Sequence, residues 1–436
     1  ERVEKEAFMH NFSQFANQQK RVDSKTKNIL LLVDAISSAC WQIASPFLPL
    51  VAAVTVRYSL QNGICEESAS AFVIFAYFQI YVKQSFEAGR KWGNIVKSML
   101  EKASTEESPV TSRTRFYLCL FLNLWYVPLQ ESINDMQDIE DMSLKCGETE
   151  RAYMTKCTRF TLLFYRGEQL SILSHAVGMA LQSMARFSLV SAKRSALEKE
   201  MIDSLTGDKS SNPYAIFEGK ICDKESLLAD SQSKMHSQIA EAVHIHNFFL
   251  SFWMGDYVEA AKASDIAMSC PSAKMPKVKL IYHIFYRGIV AFNLHREGKG
   301  EKWLKEGNSM RDQVEIWVQN SKPIFENKLI LLKAEHYASM FNVVSAIESY
   351  ESSIKIARNN GYIHEQGLAH ECMGKYLMSI VEVEDAERCF VRAHECYTQW
   401  GAKAKANKLW NDWNLGSSAV RNGMSTAKHN RDESEE

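Results

Sequence analysis

Apolar residues between positions 362 and 413 recur every three or four residues, in three consecutive runs. This spacing puts them on one face of a helix, so each run predicts an amphipathic α-helix. The three stripes are Leu368, Cys372, Met373, Tyr376, Leu377 and Ile380, then Ala386, Cys389, Phe390, Ala393, Tyr397 and Trp400, and finally Ala406, Leu409, Trp410 and Trp413. The first two helices cannot bury their stripes alone. They must pack antiparallel and then stack on a neighbour, as in helical repeat arrays.

A repeat near 40 residues supports the array. An offset of 40 pairs small and aromatic positions of two segments, namely Ala346, Tyr350 and Ser353 with Ala386, Phe390 and Ala393, and Ala334 and Tyr337 with Gly374 and Leu377. This alternation of small and aromatic sites is typical of tetratricopeptide repeats, and the run 255–260 followed by Ala267 is a third match. The period exceeds the usual one of about 34 residues, so the helices are predicted to be longer.

The same periodicity predicts helices along the rest of the chain, with no alternating strand pattern. The predicted helical segments are 27–58 with a break at Pro46 and Pro49, 69–82, 86–102, 115–126, 129–146, 148–164, 169–205, a pair within 231–267, 278–296, 301–320, 322–340 and 342–359. The predicted fold is therefore all-α, a tetratricopeptide-like α-solenoid of stacked antiparallel helix pairs.

Composition divides the chain into five parts. A polar start (1–25) predicts a lead-in helix or linker, and 26–205 an N-terminal helical array. The stretch 206–226, with Gly207, Pro213 and Gly219, predicts an internal linker. The tetratricopeptide-like repeats then occupy 227–413, and the polar tail 414–436 is predicted to be disordered.

Charge argues against two classes of partner, and cysteine usage indicates the cellular compartment. The 51 Lys and Arg residues balance 52 Asp and Glu residues, which does not favour nucleic-acid or anionic-membrane binding. The longest apolar stretch, 41–56, is short and contains two prolines, so it predicts no membrane span. The ten cysteines never form Cys-x-x-Cys, which indicates reduced core residues of a cytoplasmic protein. Because the chain begins with Glu1, it is expected to be a segment of a longer protein.

The sequence carries no motif of a catalytic, cofactor or metal site. The fragment 298–302 (Gly-Lys-Gly-Glu-Lys) lacks the spacing of a phosphate-binding loop and follows no strand. His364 and His370 are six residues apart, so they lie on different sides of a helix and do not match the zinc-protease pattern. His364, His370 and His394 each precede a glutamate, as in phospho-accepting histidines, but the rest of that motif is missing. We interpret them as packing or surface histidines.

Four residues are candidate partner-binding residues. Lys403, Lys405 and Lys408 form a basic cluster that suits a phosphate or an acidic partner, although a solvated helix face is the commoner role of such a cluster. Trp253, with the nearby aromatics of 248–252, suits the lining of a ligand groove. These aromatic residues recur at helical spacing, which is also typical of side chains packed in a core between helices, and that is their commoner role.

Several segments resemble the helical region of one family of very large signalling proteins. The most specific is the Trp-Gly-Ala-Lys-Ala-Lys run at 400–405, within a match over 365–409. Further matching residues are Ala369, Tyr376, Ala386, Cys396 and Tyr397, the runs 59–63, 70–72, 128–131 and 255–257, and Trp125, so the resemblance covers most of 26–413. In that family a kinase-like domain and an AAA-type ATPase similar to origin-recognition ATPases precede the helices. A GAF domain and a sensor histidine kinase often follow them.

The resemblance implies a non-catalytic regulatory region, because the ATP-binding and phosphotransfer residues of that family lie in flanking domains. No catalytic residue is therefore transferred to this chain. The polar tail after Trp413 departs from the family, where a linker into the GAF domain is expected. We expect a sensor or scaffold that presents a concave surface to a protein or peptide, or to its own upstream ATPase domain.

Two alternatives differ in what is bound. A small molecule held between helices near Trp253 or Trp125 would make the chain a ligand-sensing domain. A free-standing tetratricopeptide-like adaptor would bind proteins without any ATPase. An autonomous enzyme has no motif in its favour.

Overall fold

The computed structural model describes residues 22–415. Short stretches within that range are left out, namely residue 44, 103–107, 186, 188–189, 209–211, 215–216, 218–222, 231–236 and 271–277. Nearly all of the predicted lead-in segment (1–25) and of the predicted disordered tail (414–436) lies outside the described residues.

Twenty α-helices make up the described part of the chain, which has no strand. The first ten are α1 Ser24–Gln42, α2 Leu48–Asn62, α3 Ala69–Tyr81, α4 Phe86–Lys102, α5 Pro109–Leu118, α6 Leu124–Tyr126, α7 Leu129–Lys145, α8 Thr149–Arg166, α9 Leu170–Met184 and α10 Val190–Thr206. The second ten are α11 Lys224–Asp230, α12 Ser237–Trp253, α13 Tyr257–Ser269, α14 Val278–Arg296, α15 Glu301–Val318, α16 Lys322–Ser339, α17 Val343–Asn359, α18 Ile363–Ser379, α19 Val383–Trp400 and α20 Lys403–Asp412.

Neighbouring helices pack as antiparallel pairs, which confirms the predicted fold class. The most extensive pairs are α3 with α4, α7 with α8, α12 with α13, α14 with α15, α16 with α17 and α18 with α19. Pairs also stack in order, since α15 packs on α16 and α17 on α18. The protein is a tetratricopeptide-like α-solenoid.

Small residues on one helix of a pair make room for aromatic rings on the other. A Cβ atom on Gly374 would lie 2.7 Å from the ring of Phe390, and one on Gly307 would lie 2.7 Å from the ring of Phe292. The positions paired by the 40-residue offset are buried except Tyr337, which is half-buried, and Tyr350 and Phe390 are both 0% exposed. The repeat thus reflects the same packing of an aromatic ring against a small residue in successive helix pairs.

Two predicted helical segments differ from the structure. The run 169–205 was predicted as one helix, but it forms α9 and α10, which pack against each other. No Gly or Pro lies between them, so local propensity does not signal the break; folding back lets both helices bury their apolar faces. The helix predicted from 115 begins earlier, at Pro109, where a fixed φ suits a first turn. After α5 the chain continues as one turn of π-helix at Cys119–Asn123.

Helices from both sides of 206–226 share one hydrophobic core. The rings of Tyr165 and Tyr282 stack with centroids 3.7 Å apart, and Phe164 lies 5.6 Å from Trp400. Helix α10 packs on both α12 and α20. The division of the chain at 206–226 stays a prediction, but the helices on its two sides are in close contact.

Candidate functional site

Three turns between paired helices share one backbone geometry. Gly255, Phe341 and Val381 each have a positive φ, of 79°, 56° and 68°. In each turn the following N–H donates to a carbonyl five residues earlier, as in the Schellman ending of a helix: Asp256 to Ser251, Asn342 to Tyr337 and Glu382 to Leu377. Gly255 meets the steric demand of this turn, whereas the other two turns use large apolar residues.

A left-handed backbone is unfavourable at Phe341 and Val381. The Cβ atom approaches its own carbonyl oxygen there, which costs roughly 1–2 kcal/mol per residue, and a β-branched valine is a marked outlier. Residues with strained backbones of this kind cluster at functional sites. These two positions were missed by sequence reasoning. The signal was a bulky apolar residue at the turn position that Gly255 occupies elsewhere in the chain.

The strained residues form part of an exposed apolar surface, called here the turn edge. Its members project from the turns before α17 and α19 and are Met340, Phe341, Val343, Val344, Val381 and Val383. Phe341 is 85% exposed and Val381 78% exposed. Because α16 and α17 stack on α18, the two turns lie at the same edge of the array. Large apolar side chains grouped on a surface are typical of interaction sites.

Acidic side chains border the turn edge. Glu382 and Glu384 flank Val383, and Glu348 follows one turn after Val344. All three are exposed, and none forms an ion pair with another described residue. Nearby Asp385 is paired with Arg388. The edge therefore combines apolar knobs with uncompensated negative charge.

A second group of exposed apolar residues lies on α1 and α2. It comprises Leu32, Ile43, Phe47, Leu50 and Val54. These helices form the first pair of the described residues, and their outer face is exposed within those residues.

The candidate residues of the basic cluster lie in two different environments. Lys403 and Lys408 are exposed, and Lys408 pairs with Asp412 at 2.7 Å. Lys405 is only 4% exposed, and its Nζ lies 2.9 Å from Oε1 of Glu371. A partner can reach Lys403 and Lys408 directly, whereas contact with Lys405 would require a rearrangement.

Glu371 is the centre of a buried charged cluster. It accepts hydrogen bonds from Lys405 and from the Tyr397 hydroxyl at 2.6 Å, and it pairs with Lys375 at 2.8 Å. Burial alone would raise the pKa of Glu371, but the two ammonium groups and the hydrogen bonds they donate lower it below its ordinary value. The cluster joins α18, α19 and α20.

The aromatic residues proposed to line a ligand groove lie in the core. Trp253 is 1% exposed and packs against Trp400 at 5.1 Å and Tyr286 at 5.6 Å. Trp125 is fully buried, and its Nε1 donates to the Tyr81 hydroxyl at 3.1 Å. In this conformation neither tryptophan faces a partner or a ligand. The partner-binding role of Trp253 stays a prediction that would require it to be uncovered.

The histidines noted in the sequence are packed between helices or half-buried. His364 is fully buried beside the Trp400 ring, at 5.2 Å. Burial and then the charges of Lys328 and Arg166 lower the pKa of His364, so it is neutral. Burial likewise lowers the pKa of His370 to about 4. Among the described residues, no group of three His, Cys, Asp or Glu side chains converges as a metal site.

Comparison with known proteins adds a distant structural likeness. No protein-family model and no curated protein sequence matches this chain. Among solved structures, the apo form of the quorum sensor NprR from B. thuringiensis is similar over 84% of this chain and 97% of that chain, at 14% identity and a TM-score of 0.42. A likeness this distant does not extend to function. No helix in the described ranges is long and apolar enough to cross a membrane.

Proposed function

We propose that this chain is a non-catalytic regulatory region that binds a protein segment at the turn edge. The observation that carries the proposal is the pair of exposed apolar residues in strained conformation, Phe341 and Val381. A glycine would satisfy both turns at lower conformational cost, as Gly255 does. Retention of large apolar groups there is explained if a partner buries them.

The chemistry of the edge specifies the partner. Burial of Phe341 and Val381 needs apolar side chains opposite them, and the unpaired Glu348, Glu382 and Glu384 favour positive charge around those side chains. A helical protein segment with leucine-like residues on one face and lysine or arginine beside them meets both needs. The proposed occupant is such a basic amphipathic segment.

The wider context of the proposal rests on the sequence resemblance. The chain would be the sensor or scaffold region of a cytoplasmic signalling ATPase or kinase-type protein, with its own upstream ATPase domain as one source of the basic segment. The proposed helical region spans 26–413, and Lys403 and Lys408 are the basic residues accessible for a second contact. Partner binding would shift the equilibrium between inhibited and active assemblies by its differential affinity for them.

Binding of designed peptides to the full chain tests the proposal. The probe is a fluorescein-labelled helical peptide of leucine and lysine, compared with one in which glutamate replaces lysine. Anisotropy should show saturable binding of the basic peptide only. The F341S/V381S double variant should weaken binding at least about tenfold, because two apolar contacts of roughly 1 kcal/mol each are lost.

A matched control uses an exposed apolar residue on another helix. Ile266 in α13 is 48% exposed, and I266S should bind the basic peptide as the wild type does. The proposal is wrong if the acidic peptide binds equally well, or if F341S/V381S retains wild-type affinity.

A further inference from the structure

A cavity of about 150 Å³ lies between helices that precede 206–226 and helices that follow it. Its walls come from α8, α10, α12 and the first turn of α14, with Trp41 of α1 and Phe116 of α5 closing one side. The tryptophans proposed from sequence as ligand-lining, Trp125 and Trp253, are not part of it. The cavity shares no residue with the turn edge, so an inference about it stands independently of the proposed function.

The cavity has a mixed lining. Apolar surface comes from Trp41, Phe116, Leu120, Met154 and Val278. Polar surface comes chiefly from one face of α10, where Ser191, Arg194, Ser195 and Glu198 follow at helical spacing, and from Lys279 of α14. One part of the space therefore suits hydrocarbon and another suits a charged group.

Glu198, the buried acid of the cavity, already has partners. Its Oε2 accepts a hydrogen bond from Thr161 at 3.2 Å and lies 3.8 Å from Nζ of Lys279. The same Nζ donates to Nε2 of His246 at 3.2 Å, while Nδ1 of His246 donates to the Ala242 carbonyl at 2.6 Å. Burial and then the charge of Lys279 lower the pKa of His246, so its ring is neutral and contributes no charge. Lys279 has one loose ion pair and a remaining N–H to donate.

Two further donors on α10 are unused. Arg194 is half-buried and lines the cavity, and its guanidinium forms no hydrogen bond or ion pair with the described residues. The hydroxyl of Ser191, one turn earlier, is buried and has no hydrogen-bond partner in the described structure. Leaving such a group unpaired is unfavourable, so a bound acceptor would be stabilised there. Glu150 also lines the cavity but is exposed to solvent, so the unused capacity of the buried and half-buried lining groups is donor capacity.

We propose that this cavity binds a small amphipathic carboxylate. The carboxylate accepts hydrogen bonds from Arg194 and Ser191 and is attracted by Lys279, since a guanidinium presents two parallel N–H groups to two carboxylate oxygens. The hydrocarbon part packs against Trp41, Leu120 and the other apolar walls. Because α10 and α14 come from opposite sides of 206–226, such a ligand bridges the two sides of the chain.

Calorimetric titration of the full chain tests this inference. The probes are octanoate and phenylacetate, each compared with a neutral counterpart, octanol and phenethyl alcohol. At least one carboxylate should bind with one-to-one stoichiometry and more tightly than its alcohol. R194Q should weaken that binding at least about tenfold, as expected for loss of a charge-assisted hydrogen bond, and S191A should weaken it several-fold.

The control is another arginine without an ion pair, away from the cavity. Arg358 of α17 is exposed and forms no ion pair within the described structure, so R358Q should bind the carboxylate as the wild type does. The inference is overturned if neither carboxylate binds more tightly than its alcohol. It is equally overturned if R194Q and S191A both bind as the wild type does, because the site would then lie elsewhere.

Discussion

At Phe341 and Val381, the residue that is present differs from the glycine that would make the turn most stable. Replacing Val381 with glycine should raise the free energy of unfolding by about 1 kcal/mol, since relief of left-handed strain exceeds the entropic cost of glycine. The exposed valine loses little packing. Urea denaturation of V381G measures the change.

Gly255 provides the reciprocal control. Its φ is 79°, and nothing lies within 4 Å of a Cβ atom placed on it. G255A should therefore lose about 1 kcal/mol through backbone conformation alone. If V381G is less stable than the wild type, the strain inferred at the turn edge is absent and its retention needs no functional reason.

In the Glu371 cluster, by contrast, a substitution is predicted to destabilise the protein, because the cluster holds buried charges. E371Q removes the counter-charge of Lys375 and Lys405 and should cost about 3 kcal/mol, because the buried ammonium group of Lys405 and the half-buried one of Lys375 are left uncompensated. K408M removes an exposed pair with Asp412 and should change stability by no more than about 0.5 kcal/mol. Chemical denaturation at neutral pH compares the two variants.

The pH dependence of the same cluster follows from the lowered pKa of Glu371. The folded carboxyl has a lower pKa than the unfolded one, so it contributes stability above the ordinary value of about 4.5. That contribution is lost as pH falls towards the folded value. Between about pH 5 and pH 2 the wild type should lose stability more steeply than E371Q. Parallel slopes would show that Glu371 is not held ionised by its lysines.

At the scale of helices, the small residues that face aromatic rings define the spacing between paired helices. G374A should destabilise the protein by about 1–3 kcal/mol, because its Cβ atom would lie 2.7 Å from the Phe390 ring. Gly178 in α9 is the control, since a Cβ atom there meets only the flexible end of Lys199 at 3.3 Å. G178A should be neutral or slightly stabilising, as for glycine-to-alanine changes within helices. Equal effects of the two variants would rule out tight packing at Gly374 as the cause.

Helices were predictable where periodicity and end signals agree. The segment 278–296 matches Val278–Arg296 in full, because its apolar stripe ends at a glycine-containing turn. The break between α9 and α10 was not predictable, since no Gly or Pro marks it. Burial of Lys405 depends on its ion pair with Glu371 of α18. Hydrophobic periodicity within α20 does not predict a partner on another helix. The cavity was equally invisible, because six separate helices contribute its walls.

For the whole molecule, the shared core makes the two sides of 206–226 energetically dependent on each other. Tyr165 and Tyr282 stack across that division with ring planes 1° apart, and Arg166 donates to the Gly361 carbonyl at 2.7 Å. Y282A removes a fully buried ring and should cost about 3–5 kcal/mol. If the core is continuous, this loss should shift one cooperative transition for the entire chain.

Two probes of unfolding distinguish a continuous core from separate domains. Trp41, Trp92 and Trp125 precede the division, and the other six tryptophans follow it. Labelling with 5-fluorotryptophan gives each tryptophan its own fluorine NMR signal, so both sides are followed in one sample. In a continuous core, Y282A should lower the denaturation midpoint of both sets of signals equally, and far-ultraviolet circular dichroism should follow the same curve. A shift confined to the tryptophans after the division would instead support two domains that unfold independently. In that case the proposed carboxylate would act by joining domains, and saturation with it should merge their transitions.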